Sequence, residues 1–213
     1  MKMKNLLLIL LLMFSVSLSY GQIKAVTENG DEVTLYDDGT WAYDDLEMME
    51  EAEIMMNPAT FTKGENASFL LKSSKNNFGF YLDPKEWTFT KEGENPAAEY
   101  ELHLKSGDLY AMIISEQWEI PLENLREIAV SKAKAAAPDL EVVKEEYRIV
   151  NGLQMLHLQM NGTIQGIKFS YYGYYYSDVA GTVQYVTFTS QSLIESYREQ
   201  CDALLNGLVV IEK

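Results

Sequence analysis

The sequence contains one cysteine and two histidines in 213 residues. One cysteine excludes an internal disulfide framework and every zinc site of the CxxC type. Basic residues are also scarce: 17 lysines and arginines stand against 32 aspartates and glutamates, and the net charge is −15. A surface of that sign repels phosphates, so we expect no binding to DNA or RNA. With 47% hydrophobic residues the chain is an ordinary globular protein, and its sequence does not name an activity.

Only one long apolar run is present, and it is too short to cross a bilayer. It extends from Leu6 to Leu18 after a basic start, and Ser19 and Gly21 place small residues before a cut at Gln22. Residues 1–21 are therefore predicted to be a cleavable signal peptide. No cysteine follows the run, so we expect no lipoprotein anchor. The mature protein, of net charge −17, is expected in the periplasm or outside the cell, without stable membrane insertion.

The acidic residues are concentrated at the start of the mature chain. Residues 22–56 hold 11 acidic residues and one basic residue, a net charge of −10, whereas residues 57–213 carry −7. This change in composition predicts a boundary between an acidic N-terminal segment and a mildly acidic main domain. The acidic run at 28–53 invites a calcium interpretation, but Asp37-Asp38-Gly39 does not fit the spacing of a calcium loop. We expect a solvated acidic flank whose role is unknown.

Three short strands are predicted within residues 23–43. Asn29-Gly30 and Asp37-Asp38-Gly39 supply the turns between them. A meander of this size is too small to bury a core alone, so we expect it to lean on the main domain or on a partner. Residues 44–56 predict a short acidic helix, which Asn57-Pro58 ends.

The main domain shows regular patterns. Short apolar runs predict strands between residues 59 and 115. Amphipathic helices are predicted at residues 121–137 and 192–208, and four antiparallel strands lie between them. The turns of these four strands are predicted at Asn151-Gly152, Asn161-Gly162 and Ser177–Gly181.

Several of these strands are apolar on both sides, as between Leu153 and Met160. Both faces of their sheet must therefore be covered. The predicted fold is α+β: a mainly antiparallel sheet covered by helices on both faces, preceded by the small N-terminal meander.

The order of elements, with three local sequences, resembles a known family. These sequences are an aromatic strand running into Pro84-Lys85-Glu86-Trp87, the run from Gly181 to Thr189, and the closing Leu204-Leu205-Asn206-Gly207-Leu208. They resemble PsbP of photosystem II, the Ran-binding protein Mog and secreted bacterial proteins of the DcrB type. The resemblance implies an α/β/α sandwich that binds proteins or ligands and brings no catalytic residues to carry over. The Asp-Asp-Gly-Thr-Trp stretch looks like a hairpin module of other secreted bacterial proteins.

Candidate chemistry is sparse. Glu101 and His103 lie on the same side of one predicted strand and could share a metal. A useful site needs a third ligand, and the other histidine, His157, sits among apolar neighbours in a different hairpin. Cys201 falls on the apolar stripe of the last helix, which is typical of a core residue. We therefore predict no cofactor, no metal and no enzyme activity.

The aromatic run from Tyr171 to Tyr176 is the most unusual feature of the main domain. Strand alternation sends Tyr172, Tyr174 and Tyr176 to one face. The run is either a central core strand with hydroxyls at its rim or the wall of a pocket.

Three functions are compatible with these patterns. We favour a non-catalytic secreted or periplasmic protein that binds an unknown protein or a small apolar ligand. Its candidate contact residues are Tyr172, Tyr174, Tyr176, Trp87 and Trp41. The first alternative is a small metal-assisted hydrolase that uses Glu101 and His103. The second is a structural envelope protein with the acidic segment as a docking arm.

Overall fold

The structure is a computed structural model of the chain. It divides the chain into two compact units, residues 1–53 and 54–213. The predicted signal peptide and residues 44–53 of the predicted acidic helix lie outside the described residues. The boundary between residues 56 and 57 stays a prediction. The structure describes residues 23–27, 32–36, 39–43, 54–91 and 93–211, with only the backbone at 42 and 43.

The N-terminal unit contains the three predicted strands: β1 (Ile23–Val26), β2 (Glu32–Leu35) and β3 (Trp41–Tyr43). They form an antiparallel sheet in the order β1-β2-β3. Gly39 has a positive φ of 84°, as a tight turn requires. The turn at Asn29-Gly30 lies outside the described residues, and the resemblance to a hairpin module stays a prediction.

The main unit consists mostly of strands, with two α-helices among its described residues. The helices are α1 (Leu122–Ala136) and α2 (Arg198–Leu205). The strands before α1 are β4 (Met56–Phe61), β5 (Phe69–Lys72), β6 (Phe78–Leu82), β7 (Trp87–Lys91), β8 (Tyr100–Leu104) and β9 (Tyr110–Glu116). The later strands are β10 (Glu141–Val150), β11 (Leu153–Ile164), β12 (Ile167–Asp178), β13 (Gly181–Ser190) and β14 (Leu208–Val210).

Two sheets organise this unit. The large sheet has the order β4-β10-β11-β12-β13-β9-β8-β7, and the small sheet has the order β14-β6-β5. Every neighbouring pair in the large sheet is antiparallel except β4 and β10, which run parallel. Strand β7 forms one edge of the large sheet.

The core is divided between the two faces of the large sheet, because alternate residues of β12 point in opposite directions. We name the faces after Tyr174 and Tyr175. The Tyr174 face packs against residues of the small sheet and of α2, including Phe80 and Leu204. The Tyr175 face packs against Leu125 and other residues of α1.

This arrangement confirms an α+β fold dominated by a large, mainly antiparallel sheet. The helix predicted at 121–137 is α1, which begins after Pro121. An α/β/α sandwich with helices on both faces stays a prediction, because the layer on the Tyr174 face combines the small sheet with the eight residues of α2.

One of the predicted turns is wrong. Asn151 and Gly152 do form a turn, with φ angles of 50° and 84°. Asn161-Gly162 lies inside β11 instead, and the chain turns at Gln165-Gly166, where both φ angles are positive. The glycine at 162 serves packing: a Cβ there would lie 2.9 Å from the Cβ of Ala137.

The predicted C-terminal helix is too long at both ends. Residues 191–197 form turns, in which the N–H of Tyr197 donates to the carbonyls of both Leu193 and Ile194. The hydroxyl of Ser196 also donates to the Leu193 carbonyl at 2.7 Å and so competes with regular helix bonding. At the other end Leu208 pairs with Phe80 and begins β14.

Asn57-Pro58 does not end a helix. Both residues lie within β4, which pairs with β10 at the edge of the large sheet. Proline is tolerated on an edge strand because no inward ladder bond is lost there.

Candidate functional site

The tyrosines predicted as contact residues are mostly buried. Tyr172 and Tyr174 are 1% and 0% exposed. Trp87 is 3% exposed and belongs to the same core cluster, against which the half-buried Tyr176 packs. Trp41 is 55% exposed and lies in the N-terminal unit. These five residues therefore do not form one open surface, and their binding role stays a prediction.

A buried arginine explains why two tyrosines can be so deep. Arg148 on β10 donates from Nη1 to the hydroxyls of Tyr172 (3.0 Å) and Tyr174 (2.9 Å) and to Oδ1 of Asp202 (3.1 Å). Its Nε donates to Glu146 at 2.6 Å. Sequence reasoning missed this network, because Arg148 looks like any other of the several charged residues of β10.

Both tyrosine hydroxyls also donate hydrogen bonds to partners within the fold. The hydroxyl of Tyr172 donates to Asp202 at 2.6 Å, and that of Tyr174 donates to Asn206 at 3.0 Å. Burial raises the pKa of Tyr174 to about 12, so its hydroxyl stays protonated at neutral pH. The donors and acceptors of these tyrosines are used inside the fold, which suits a structural role.

An exposed part of the large sheet lies on the Tyr175 face, away from the strands that α1 covers. Neighbouring strands place His103, Tyr110, Phe188 and Tyr171 in one row. The ring centroids of His103 and Tyr110 are 4.7 Å apart, and those of Tyr110 and Phe188 are 5.7 Å apart. Both pairs are stacked, and Tyr110 is 40% exposed.

His103, Tyr110 and Phe188 of this row form the floor of a depression of about 330 Å³. We call it the aromatic groove. Asn95 closes one side of it, since its N–H donates to Oε1 of Glu101 at 2.6 Å. The groove is lined by Thr88, Thr90, Glu101, His103, Tyr110 and Phe188, among others.

The metal candidates are only partly brought together. Glu101 and His103 both line the aromatic groove, but His157 belongs to the other face, where its ring lies 4.2 Å from that of Tyr172. Glu99 is turned inward and accepts hydrogen bonds from the hydroxyls of Ser73 and Ser74. Across residues 54–91 and 93–211, as in the rest of the described chain, no three His, Cys, Asp or Glu side chains cluster closely enough to hold a metal.

Cys201 and His157 are both buried and do not line the aromatic groove. Cys201 is buried in α2, and burial raises the pKa of its thiol to about 11. His157 is fully buried, and desolvation together with the nearby Arg148 lowers its pKa to about 3. Neither is a suitable nucleophile or base at neutral pH.

Comparison with known proteins identifies the fold but no family. No family model matches the chain, and no curated protein matches it. The solution structure of CyanoP, the cyanobacterial PsbP of Synechocystis sp. PCC 6803, is similar over 69% of this chain and 94% of that one, with 13% identity and a TM-score of 0.50. LpqN of Mycobacterium tuberculosis, involved in cell envelope biogenesis, gives 8% identity over 68% and 90% of the two chains and a TM-score of 0.47.

The chain has a PsbP-like fold. The predicted resemblance is confirmed at that level by the likeness to CyanoP. The parts of the prediction that concern Mog, DcrB and the N-terminal hairpin stay predictions.

Proposed function

We propose that the mature protein is a non-catalytic binding protein of the periplasm or cell exterior, and that it binds its ligand in the aromatic groove. The observation that carries the proposal is the stacked row of His103, Tyr110 and Phe188, which the fold leaves open to solvent. Buried aromatic rows are common in sheets, but an exposed one presents a large apolar surface with polar groups beside it.

The groove has the features of a recognition site. Its rings offer a flat surface to an apolar or aromatic group, and such ring pairs add about 0.5–1.5 kcal/mol beyond the area that they bury. Thr88, Thr90 and Glu101 add polar atoms at its rim. Few convergent polar groups around an apolar floor are typical of ligand sites.

Catalysis receives less support from the same geometry. The hydrolase alternative needs a ligand besides Glu101 and His103, and His157 is on the opposite face of the sheet. The envelope-protein alternative depends on the acidic segment, most of which lies outside the described residues.

The proposed location rests on the sequence of residues 1–21. Its basic start, apolar run and small residues before Gln22 are typical of a secretory signal. Within the described chain, no helix is both long and apolar enough to span a membrane.

The test uses ring-bearing probes. Indole and phenol are titrated into the isotope-labelled mature chain, residues 22–213, while amide chemical shifts are recorded. We expect saturable shifts at Glu101, His103 and Tyr110, lost in Tyr110→Ala and kept in Trp118→Ala, which removes an exposed ring outside the groove. Shifts scattered over the surface, or equal in both variants, would contradict the proposal.

A further inference from the structure

Strand β7 offers a free hydrogen-bonding edge beside the aromatic groove. The N–H of Lys105 donates to the carbonyl of Glu86 at 2.8 Å. Bonded and non-bonded pairs alternate in an antiparallel ladder, so Thr88 and Thr90 bond to β8. The backbone groups of Phe89 and Lys91 therefore point outward, where no described strand pairs with them.

Both faces of this edge carry a depression. The aromatic groove lies on one face. On the other face Phe69 and Phe89 stack with ring centroids 5.5 Å apart, and both are about 40% exposed. They line a second, apolar depression of about 300 Å³ with Leu82, Pro84 and Trp87, which we call the Phe69 hollow.

The two depressions match the spacing of an added strand. Side chains of a strand alternate between faces. In a strand paired with β7, the residue opposite Phe89 would point towards the Phe69 hollow, and the residues on either side of it would point towards the aromatic groove. Peptides bound by strand addition gain affinity from backbone bonds and specificity from pockets of this alternating kind.

One end of the β7 edge lies beside acidic side chains. Trp87, the first residue of β7, also lines a third depression of about 360 Å³. Among its described lining residues are four carboxylates and no basic side chain, and we call it the acidic cleft. The carboxylates are Glu65, Asp83, Glu86 and Glu199.

We propose that the ligand is an extended peptide segment of a partner protein, which adds to β7 as a ninth strand of the large sheet. Its alternate apolar side chains enter the aromatic groove and the Phe69 hollow, and basic residues at one end lie over the acidic cleft. This inference rests on the proposed function and names the ligand of the same site.

The first experiment selects peptides from a random twelve-residue library displayed on phage, with the immobilised mature chain as bait. We expect enriched sequences in which apolar residues alternate with others and lysine or arginine clusters at one end. Enrichment of helically spaced apolar residues, of acidic sequences, or of nothing beyond the bare support would overturn the inference.

The second experiment separates strand addition from groove binding. Lys91→Pro removes an outward N–H without touching the β7–β8 ladder, and Lys91→Ala removes only the charge. For the best synthetic peptide we expect Lys91→Pro to weaken affinity about tenfold, because one backbone hydrogen bond is lost and the proline ring obstructs the docking strand. We expect Lys91→Ala to change the affinity little. Equal affinities for both variants would contradict strand addition.

The third experiment tests the charge. The triple variant Glu65→Gln, Glu86→Gln, Glu199→Gln should weaken peptide binding several-fold and flatten its salt dependence. The control Glu119→Gln, Glu127→Gln, Glu141→Gln makes the same change in net charge with exposed residues elsewhere and should leave binding unchanged. If both triples act alike, the acidic cleft is not the contact.

The outcomes distinguish the two proposals. If Tyr110→Ala abolishes binding of indole and of the peptide while Lys91→Pro has no effect, the groove binds ligands but strand addition is wrong. If indole does not bind in the groove and no peptide is enriched, both proposals fail.

Discussion

His157 should make the protein less stable as the pH falls below 7. The ring is fully buried, and its Nδ1 lies 3.1 Å from the carbonyl oxygen of Gly173. The neutral ring donates from Nδ1 to that carbonyl, whereas Nε2 has no partner among the described residues. A second proton would therefore be buried without an acceptor beside the charged Arg148, and the pKa of His157 falls to about 3.

The sign and size follow from proton linkage. Between pH 6.5 and pH 3 the unfolded chain binds a proton at this histidine and the folded chain does not, so unfolding is favoured as the pH falls. Each pH unit in that window costs about 1.4 kcal/mol, and the change from pH 7.5 to 5.0 costs about 2 kcal/mol. The contribution is fully present above the unfolded pKa and lost progressively below it.

The assay is urea unfolding at several pH values between 5.0 and 7.5, compared for the wild type, His157→Gln and the control His103→Gln. His103 is exposed, so His103→Gln is the matched loss of a histidine that is not buried. We expect His157→Gln to remove about 2 kcal/mol of the pH dependence, whatever its own stability. An NMR titration in which His157 takes up a proton near pH 6 in the folded wild type would refute the reasoning.

Three further experiments test the packing. Arg148→Ala should lower the free energy of unfolding by about 3–5 kcal/mol, because it leaves the partners of a buried charge unpaired. The control Arg198→Ala removes a more exposed ion pair and should cost under about 1 kcal/mol. Similar urea midpoints for the two variants would contradict this. Gly162→Ala should cost about 1–3 kcal/mol by crowding the end of α1, and Gly64→Ala, where a Cβ meets nothing within 4 Å, should be close to neutral. Cys201 should not react with a thiol reagent at pH 8 until urea unfolds the chain, and rapid labelling of the native protein would show that the thiol is accessible.

Much of the fold could be predicted from local patterns. The alternation of the tyrosine strand, the turn at Asn151-Gly152 and helix α1 all follow from period and turn chemistry. The errors arose where tertiary contacts, and not local sequence patterns, determine the conformation of the chain. Gly162 looks like a turn residue but is needed for its approach to Ala137, and Leu208 looks like the end of a helix but pairs with Phe80.

The candidate site was harder to predict, because its residues are brought together only by the pairing register of three strands that are separate in the sequence. His103 lies on β8, Tyr110 on β9 and Phe188 on β13, and each alone has the pattern of an ordinary strand residue. Only the pairing β8-β9-β13 places their rings in contact. Sequence reasoning singled out His103 only as a possible metal ligand, and it gave no signal for Tyr110 or Phe188.

The groove is a consequence of covering an eight-stranded sheet with one helix on the Tyr175 face. A helix is about 10 Å wide and neighbouring strands are about 4.8 Å apart, so one helix covers about two strands. Helix α1 accordingly contacts β11 and β12, while His103 on β8 and Tyr110 on β9 stay exposed on the same face. From β9 to β7 the side chains on this face change from aromatic at Tyr110 to polar at Thr88. An apolar centre with a polar, solvated rim is typical of a binding surface. The stacked rings end beside β7, at whose outer edge no described strand pairs, and the proposed docking strand would cover the rings and pair with that edge.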